Sequence, residues 1–178
     1  MDATGLESHH VSRYFLARQG RMKQFRRFPK LTLVYHHASY LIAAVQLRYG
    51  PCNDAPDFLP AVTQAVQHLP IDRLLADAAY DAEAHHRLCR EKLGIRQTVI
   101  PINPRSPKTR RATGRYRRQM QQRFPRQTYR QRWHAESVNS QHKRRLGSAL
   151  RARTPAGRQD ECFFRIVTHD LMILRRVA

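Results

Sequence analysis

The chain has 178 residues, with 33 Lys and Arg against 13 Asp and Glu, for a formal net charge of +20 and a pI near 11.3. That length buries a real core in one domain, and the charge marks a polyanion partner, nucleic acid of either kind, or else a solubilising, ribosomal or histone-like surface. Cys52, Cys89 and Cys162 are too few and too scattered for a disulfide framework or a zinc knuckle, so a reducing cytoplasm fits; the longest purely apolar run, Leu41 to Val45, cannot span a membrane, and no signal peptide is visible.

Asp2-Ala-Thr-Gly reads either as a turn or as the end of a strand whose earlier part is missing. Ser8 to Pro29 is basic and aromatic without a sustained period, which predicts mostly loop. Lys30 to Tyr35 reads as a strand, His36 to Tyr40 as a short turn, and Leu41 to Arg48 as a second, antiparallel strand. Gly50 to Pro56 is a loop in which Asp54 is a cap. Phe58, Val62, Ala65, Val66 and Leu69 space a helix that Pro70 closes.

Ile71 to Ala76 reads as a buried strand ending on Asp77. Asp81 is the expected N-cap of a helix spaced by Ala82, His85, His86, Cys89 and Leu93, with Gly94 as its C′ residue. Ile95 to Ile102 reads as the next buried strand. This unit leaves Asp77 at the carboxyl end of its first strand, where sites form in open α/β sheets. Asn103 to Thr128 holds Pro104, Pro107, Gly114 and Pro125, many bases and no acid. It reads as an exposed basic insertion, partly disordered until it meets a polyanion, or as a solvated loop. A helix from Tyr129 toward Leu150 follows. A last helix runs from about Ala156 to Arg176, and its Phe163, Phe164, Val167, Leu171 and Leu174 read as its core face. No repeat and no second domain is evident.

Tyr129, Arg132, Glu136 and Lys143 sit at offsets 0, 3, 7 and 14. At roughly 100° per residue they fall within about 60° of one helix face. Trp133 lies beside them, and Leu146 and Leu150 continue the stripe. Burying a carboxylate costs several kcal/mol unless it is paired or binds a metal. Glu136 therefore needs a partner, either Arg132 four residues earlier or a cation. Three acids stand out by position: Asp2, Asp77 and Glu136. The order strand, strand pair, helix, strand, helix, strand, helix is that of a ribonuclease H-like α/β fold, a mixed sheet flanked by helices. Three carboxylates gathered there could hold two divalent cations about 3.5–4 Å apart, and hard oxygen ligands suit Mg2+ or Mn2+. Structural alternatives stand beside these roles: Asp77 as a cap of the next turn, Lys143 as a surface lysine, Tyr129 and Trp133 as core aromatics. A first acid placed after the strand Lys30 to Tyr35 would fall at 36 or 37, which are His36 and His37. The pairs His9 with His10, His36 with His37 and His85 with His86 have no zinc spacing and stay unassigned.

The pattern Tyr129, two residues, Arg132, three residues, Glu136, six residues, Lys143 resembles the signature of one group of bacterial insertion-sequence DDE transposases. LLADAAYDAEAHH resembles that family's strand-end Asp followed by a small residue, Tyr and Asp, and DATG resembles its first-acid motif. The resemblance covers essentially the whole chain. It implies a DDE catalytic domain over residues 1–178, with Asp2, Asp77 and Glu136 as catalytic acids and ligands of two Mg2+ or Mn2+ ions. It implies that Tyr129, Arg132 and Lys143, with Arg144 and Arg145, contact DNA. The implied reaction is metal-dependent nicking at element ends, then strand transfer to target DNA. The implied partners are double-stranded DNA and, on DNA, further copies of the chain, in the bacterial cytoplasm at the nucleoid. Family members generally have a DNA-binding region and a full first strand before the first Asp. Here the chain starts one residue before Asp2, so a truncated first strand and impaired activity are expected. Ala79 stands where the family often has Gly. The alternatives are a non-catalytic DNA-binding remnant of a transposase, or an RNA-binding structural protein, which has no use for aligned acids.

Overall fold

A computed structural model describes residues 1–7, 18, 28–103 and 111–177. The sheet is organised on Phe28–Tyr35 (β2), whose side chains alternate between two faces. Leu31 and Leu33 are buried on one face, Thr32 and Val34 on the other. β2 pairs antiparallel with Asp2–Gly5 (β1) on one side and with Ile42–Gly50 (β3) on the other. Asp2 lies opposite Leu33 and Thr4 opposite Leu31, so Asp2 shares the face of those leucines. Phe58–His68 (α1) leads to Arg73–Leu75 (β4). Glu83–Arg87 (α2), continued by a wider π turn at Leu88–Lys92, leads to Gln97–Val99 (β5), parallel to β4. The Met1 amino group donates to the Leu75 carbonyl at 2.8 Å. That bond brings the end of β4 beside the start of β1, between two separate sheets, the antiparallel β1-β2-β3 and the parallel β4-β5. Burial pushes this amine down to about 5, so at neutral pH it donates uncharged.

Helices cover both faces. Phe58, Ala61, Val62 and Ala65 of α1 pack on Val34, Ala44, Leu74, Ala76 and Ile100. On the opposite face Leu6, Leu31 and Leu33 meet Leu150, Cys162 and Ile166. Each leucine so buried contributes about 2 kcal/mol. The remaining helices are Arg115–Gln122 (α3), Arg126–Arg130 (α4), Trp133–Leu146 (α5) and Pro155–Val177 (α6). Residues 147–154 between α5 and α6 are clamped from α6. Arg165 donates to the carbonyls of Gly147 and Ala149 at 2.6 and 2.7 Å, and Glu161 accepts from the amides of Arg151 and Ala152.

Four expectations change. The segment expected as a basic insertion, about 103–128, carries α3 and the start of α4, while residues 104–110 lie outside the described ones. Tyr116 and Met120 of α3 are buried. Arg117 grips Asp81 with two bonds of 2.7 Å, and the Glu83 carboxylate caps α3 by accepting from the amides of Tyr116 and Arg117 at 3.1 and 2.9 Å. The segment has no acid of its own, so its countercharges come from Asp81 and Glu83, more than thirty residues upstream. Asp81 is thus a docking residue, and Ala82 holds the N-cap position of α2.

The helix expected from Tyr129 toward Leu150 is two helices joined by a tightened turn. There the amides of Gln131, Arg132, His134 and Ala135 each bond three residues back. It ends at Leu146, because Gly147 turns out at φ 89°, where a side chain is strained. Leu150 is off the helix and packs in the second core cluster. The last helix presents the other face: Cys162, Ile166, His169 and Ile173 are buried, whereas Phe163, Phe164, Val167, Leu171 and Leu174 are exposed. The expected loop at Ser8 to Pro29, with His9 and His10, lies largely outside the described residues; Phe28 and Pro29 belong to β2.

Glu83→Ala removes the cap of α3 and leaves Arg117 beside Asp81 alone. We expect a cost of about 1–2 kcal/mol. Amide hydrogen exchange should quicken selectively across residues 115–122. Unchanged exchange there would show that burial of Tyr116 and Met120 alone holds the helix.

Candidate active site

β1, the end of β4 and the corner between α4 and α5 meet at one point. Asp2 reaches it from the first residue of β1, on the face turned toward α5. Asp77 lies two residues past β4. Its Oδ1 accepts from the Ala78 amide and caps the short 3-10 turn Ala78–Tyr80, so the capping role is real. Its Oδ2 points elsewhere. Glu136 stands in the first turn of α5 with its side chain 71 % exposed.

All three oxygens face the guanidinium of Arg132. Nη1 lies 3.3 Å from Asp2 Oδ1 and 3.8 Å from Asp77 Oδ2, and Nη2 lies 3.4 Å from Glu136 Oε1. Sharing one nitrogen keeps the Asp2 and Asp77 oxygens within about 7 Å of each other. Three carboxylates and one cation leave two negative charges uncompensated, in a chain whose net charge is +20. Among the described residues, no three His, Cys, Asp or Glu side chains stand close enough to share one metal ion. The guanidinium takes the space between them.

Burial pushes the Asp2 carboxyl up, and the Arg132 charge is the largest influence holding it down. Asn139 Nδ2 donates to its other oxygen at 3.1 Å. Burial works against the charge of Arg132, but Tyr129, Asp2, Asp77 and Glu136 outweigh it and raise its pKa. Burial also raises Tyr35, which looks onto the same group of charges. The contacts of Arg132, at 3.3–3.8 Å, are loose beside the paired 2.7 Å bonds of Arg117 to Asp81. An exposed pair such as Arg132–Glu136 holds by only about 0.3–0.5 kcal/mol. Arg117 is locked by paired short bonds to one carboxylate; Arg132, about as buried, is shared among three carboxylates at longer range.

The other sequence candidates divide. Lys143 and Arg144 line an open cleft of about 660 Å³ together with Asp2, Glu136 and Asn139. Arg145 does not line it, and among the described residues its Nη1 is buried without a partner. Tyr129 packs edge-on against Phe124, with the Arg132 guanidinium 5.9 Å from its ring. Trp133 is 57 % exposed and stacks on His134, whose Nδ1 bonds the Tyr40 hydroxyl at 2.8 Å, so it is no core aromatic. His85 stacks on Phe58 and His86 bonds Thr98, both inside the fold. Asn139 was missed by the sequence reading. Its position three residues after Glu136, on the same helix face, was the available signal.

A family model described as Transposase DDE domain matches residues 1–171. No curated protein and no solved structure matches the chain. The matched region holds Asp2, Asp77 and Glu136 and the arginine between them. Together with an α/β fold that brings these side chains to one corner, the match means that the chain belongs to the DDE transposase-domain family.

Proposed function

We propose that residues 1–178 form the catalytic domain of an insertion-sequence transposase of the Tyr-Arg-Glu-Lys group. It nicks double-stranded DNA at element ends and joins the freed end to target DNA in the bacterial cytoplasm. The observation that carries this reading is the convergence of Asp2, Asp77 and Glu136 on Arg132. The antiparallel sheet β1-β2-β3, the parallel pair β4-β5 next to it and the helices packed on both faces support a ribonuclease H-like fold.

The family generally uses divalent metal ions, and the donor types here suit them, although the three carboxylates as placed around Arg132 do not yet stand close enough to share one ion. The donors are all hard carboxylate oxygens. They stay two charges short of neutral with Arg132 included, and a delocalised cation already rests where they meet. Asp2, Asp77 and Glu136 would hold two Mg2+ or Mn2+ ions, which when bound would activate water or a 3′-hydroxyl and stabilise the leaving oxygen. Asp2 and Asp77 hold their places from strand ends, and Asn139 fixes the second oxygen of Asp2. Lys143 and Arg144 take DNA phosphate along the cleft. Arg132, over the Tyr129 ring, would be available to phosphate once displaced from the carboxylates. A second reading, DNA binding without catalysis, is favoured by the same guanidinium if it never withdraws.

Glu136→Gln should abolish nicking of an element-end duplex in Mg2+ while changing DNA affinity less than about threefold. Affinity of either form should fall tenfold or more between about 50 and 200 mM salt. Undiminished nicking would remove Glu136 from the site.

Arg132→Gln leaves the three carboxylates facing each other. Its melting temperature without metal should drop by a few degrees. Millimolar Mn2+ should then raise it more than in the wild type, since the ion no longer competes with a guanidinium. An equal Mn2+ effect in both proteins would show that Arg132 does not occupy the cation position.

A further inference from the structure

Tyr40 stands where the backbone favours glycine or asparagine. It closes the turn between β2 and β3, donating its amide to the His36 carbonyl at 2.8 Å. Its φ is 64°, and it is the one non-glycine residue with a positive φ among the described residues. A bulky residue held there is strained, and such strain persists only where the surroundings over-determine it. Here the side chain and the carbonyl are both engaged. The Tyr40 hydroxyl bonds His134 Nδ1 at 2.8 Å, and its ring centre lies 5.4 Å from that imidazole. Its carbonyl accepts from His169 Nε2 of α6 at 3.3 Å. Trp133 and His37 pack on the same imidazole, with ring centres 3.9 and 6.3 Å away.

His134 belongs to the tightened turn, between Arg132 and Glu136, and its amide bonds the Gln131 carbonyl at 3.2 Å. Across from that turn is the sheet that carries Asp2. Arg132 and Asn139 reach the sheet through Asp2 itself. The Arg132 bond is lost when a cation takes the place of the guanidinium. The Tyr40–His134 bond touches no carboxylate, so it outlasts that exchange. We propose that Tyr40 is a positioning residue for the reaction: through His134 it holds the Arg132–Glu136 corner against the sheet while the guanidinium is displaced. This rests on the carboxylate reading of the site and adds a tie outside it. With the guanidinium seated, the bond is one tie of several and its loss is felt little. With the guanidinium withdrawn, it carries the corner, because Glu136 bonds nothing but Arg132 among the described residues.

The test is amide hydrogen exchange across residues 131–137 of the full chain, without metal or DNA. Tyr40→Phe keeps the ring and the backbone and removes only the hydroxyl. In the wild-type background it should quicken exchange by less than about threefold, because Arg132 still bridges the corner. In an Arg132→Gln background it should quicken exchange by about tenfold or more, a coupling that independent sites do not show. In that same background His134→Asn, whose amide group can occupy the place of Nδ1, should leave exchange at the Arg132→Gln level, and His134→Leu should quicken it as Tyr40→Phe does. The consequence for the reaction is read with element-end duplex in Mg2+. Tyr40→Phe should lower the single-turnover nicking rate at saturating duplex about tenfold, while the duplex concentration at half-maximal rate moves by less than about twofold. Its melting temperature should stay that of the wild type. Equal exchange effects in the two backgrounds, quickened exchange with His134→Asn, or a wild-type nicking rate in Tyr40→Phe would each overturn the proposal. The exchange is read without metal, DNA or turnover, so it fails separately from the Glu136→Gln test of the carboxylates.

Discussion

The guanidinium of Arg132 between three carboxylates is the interaction on which the rest depends. At an effective dielectric constant near 20, two carboxylates about 7 Å apart repel by about 2 kcal/mol, and a guanidinium half as far away attracts each by roughly twice that. The exposure of Asp77 and Glu136 reduces both figures. The balance favours the gathered acids only while a cation stands among them. Whatever replaces Arg132 there must also be positive, and two uncompensated charges make room for more than the guanidinium supplies.

The fold delivers the three acids by three independent routes. The alternation of β2 fixes the register of β1 and thus the face that carries Asp2. The Met1 bond to Leu75 brings β4, and Asp77 beyond it, alongside. The Arg165–Glu161 clamp holds the reversal after α5, and the buried pair His142 and His169, ring centres 6.1 Å apart, lies between α5 and α6. Burial pushes His142 down to about 4, so it stays neutral and tolerates its apolar surroundings. The tightened turn at Gln131 and Arg132 then aims the guanidinium across at both aspartates while keeping Glu136 within reach.

Much of this corner was legible in the sequence, because its cues are local. An apolar run that stops on an acid gave Asp77, and helical spacing gave Arg132 with Glu136. The docking of α3 was not legible. Its countercharges, Asp81 and Glu83, lie far upstream, and a run of bases without an acid reads as solvated when only neighbours are considered. The orientation of α6 was not legible either. Two apolar stripes run along that helix, Cys162, Ile166 and Ile173 on one side, Phe164, Val167, Leu171 and Leu174 on the other. Period alone does not say which one meets the sheet. The more uniformly apolar stripe pointed the wrong way, because the buried side also carries Arg165 and His169, whose polar atoms are met by the carbonyls of Gly147, Ala149 and Tyr40.

The central claim is that the space held by Arg132 is a cation position. It is tested most directly by a crystal structure of the chain with Mn2+ and a DNA duplex, read by anomalous scattering. The account predicts manganese peaks bounded by Asp2, Asp77 and Glu136, with the guanidinium swung out toward a phosphate. Manganese bound elsewhere, or absent with Arg132 still seated among the three carboxylates, would contradict it.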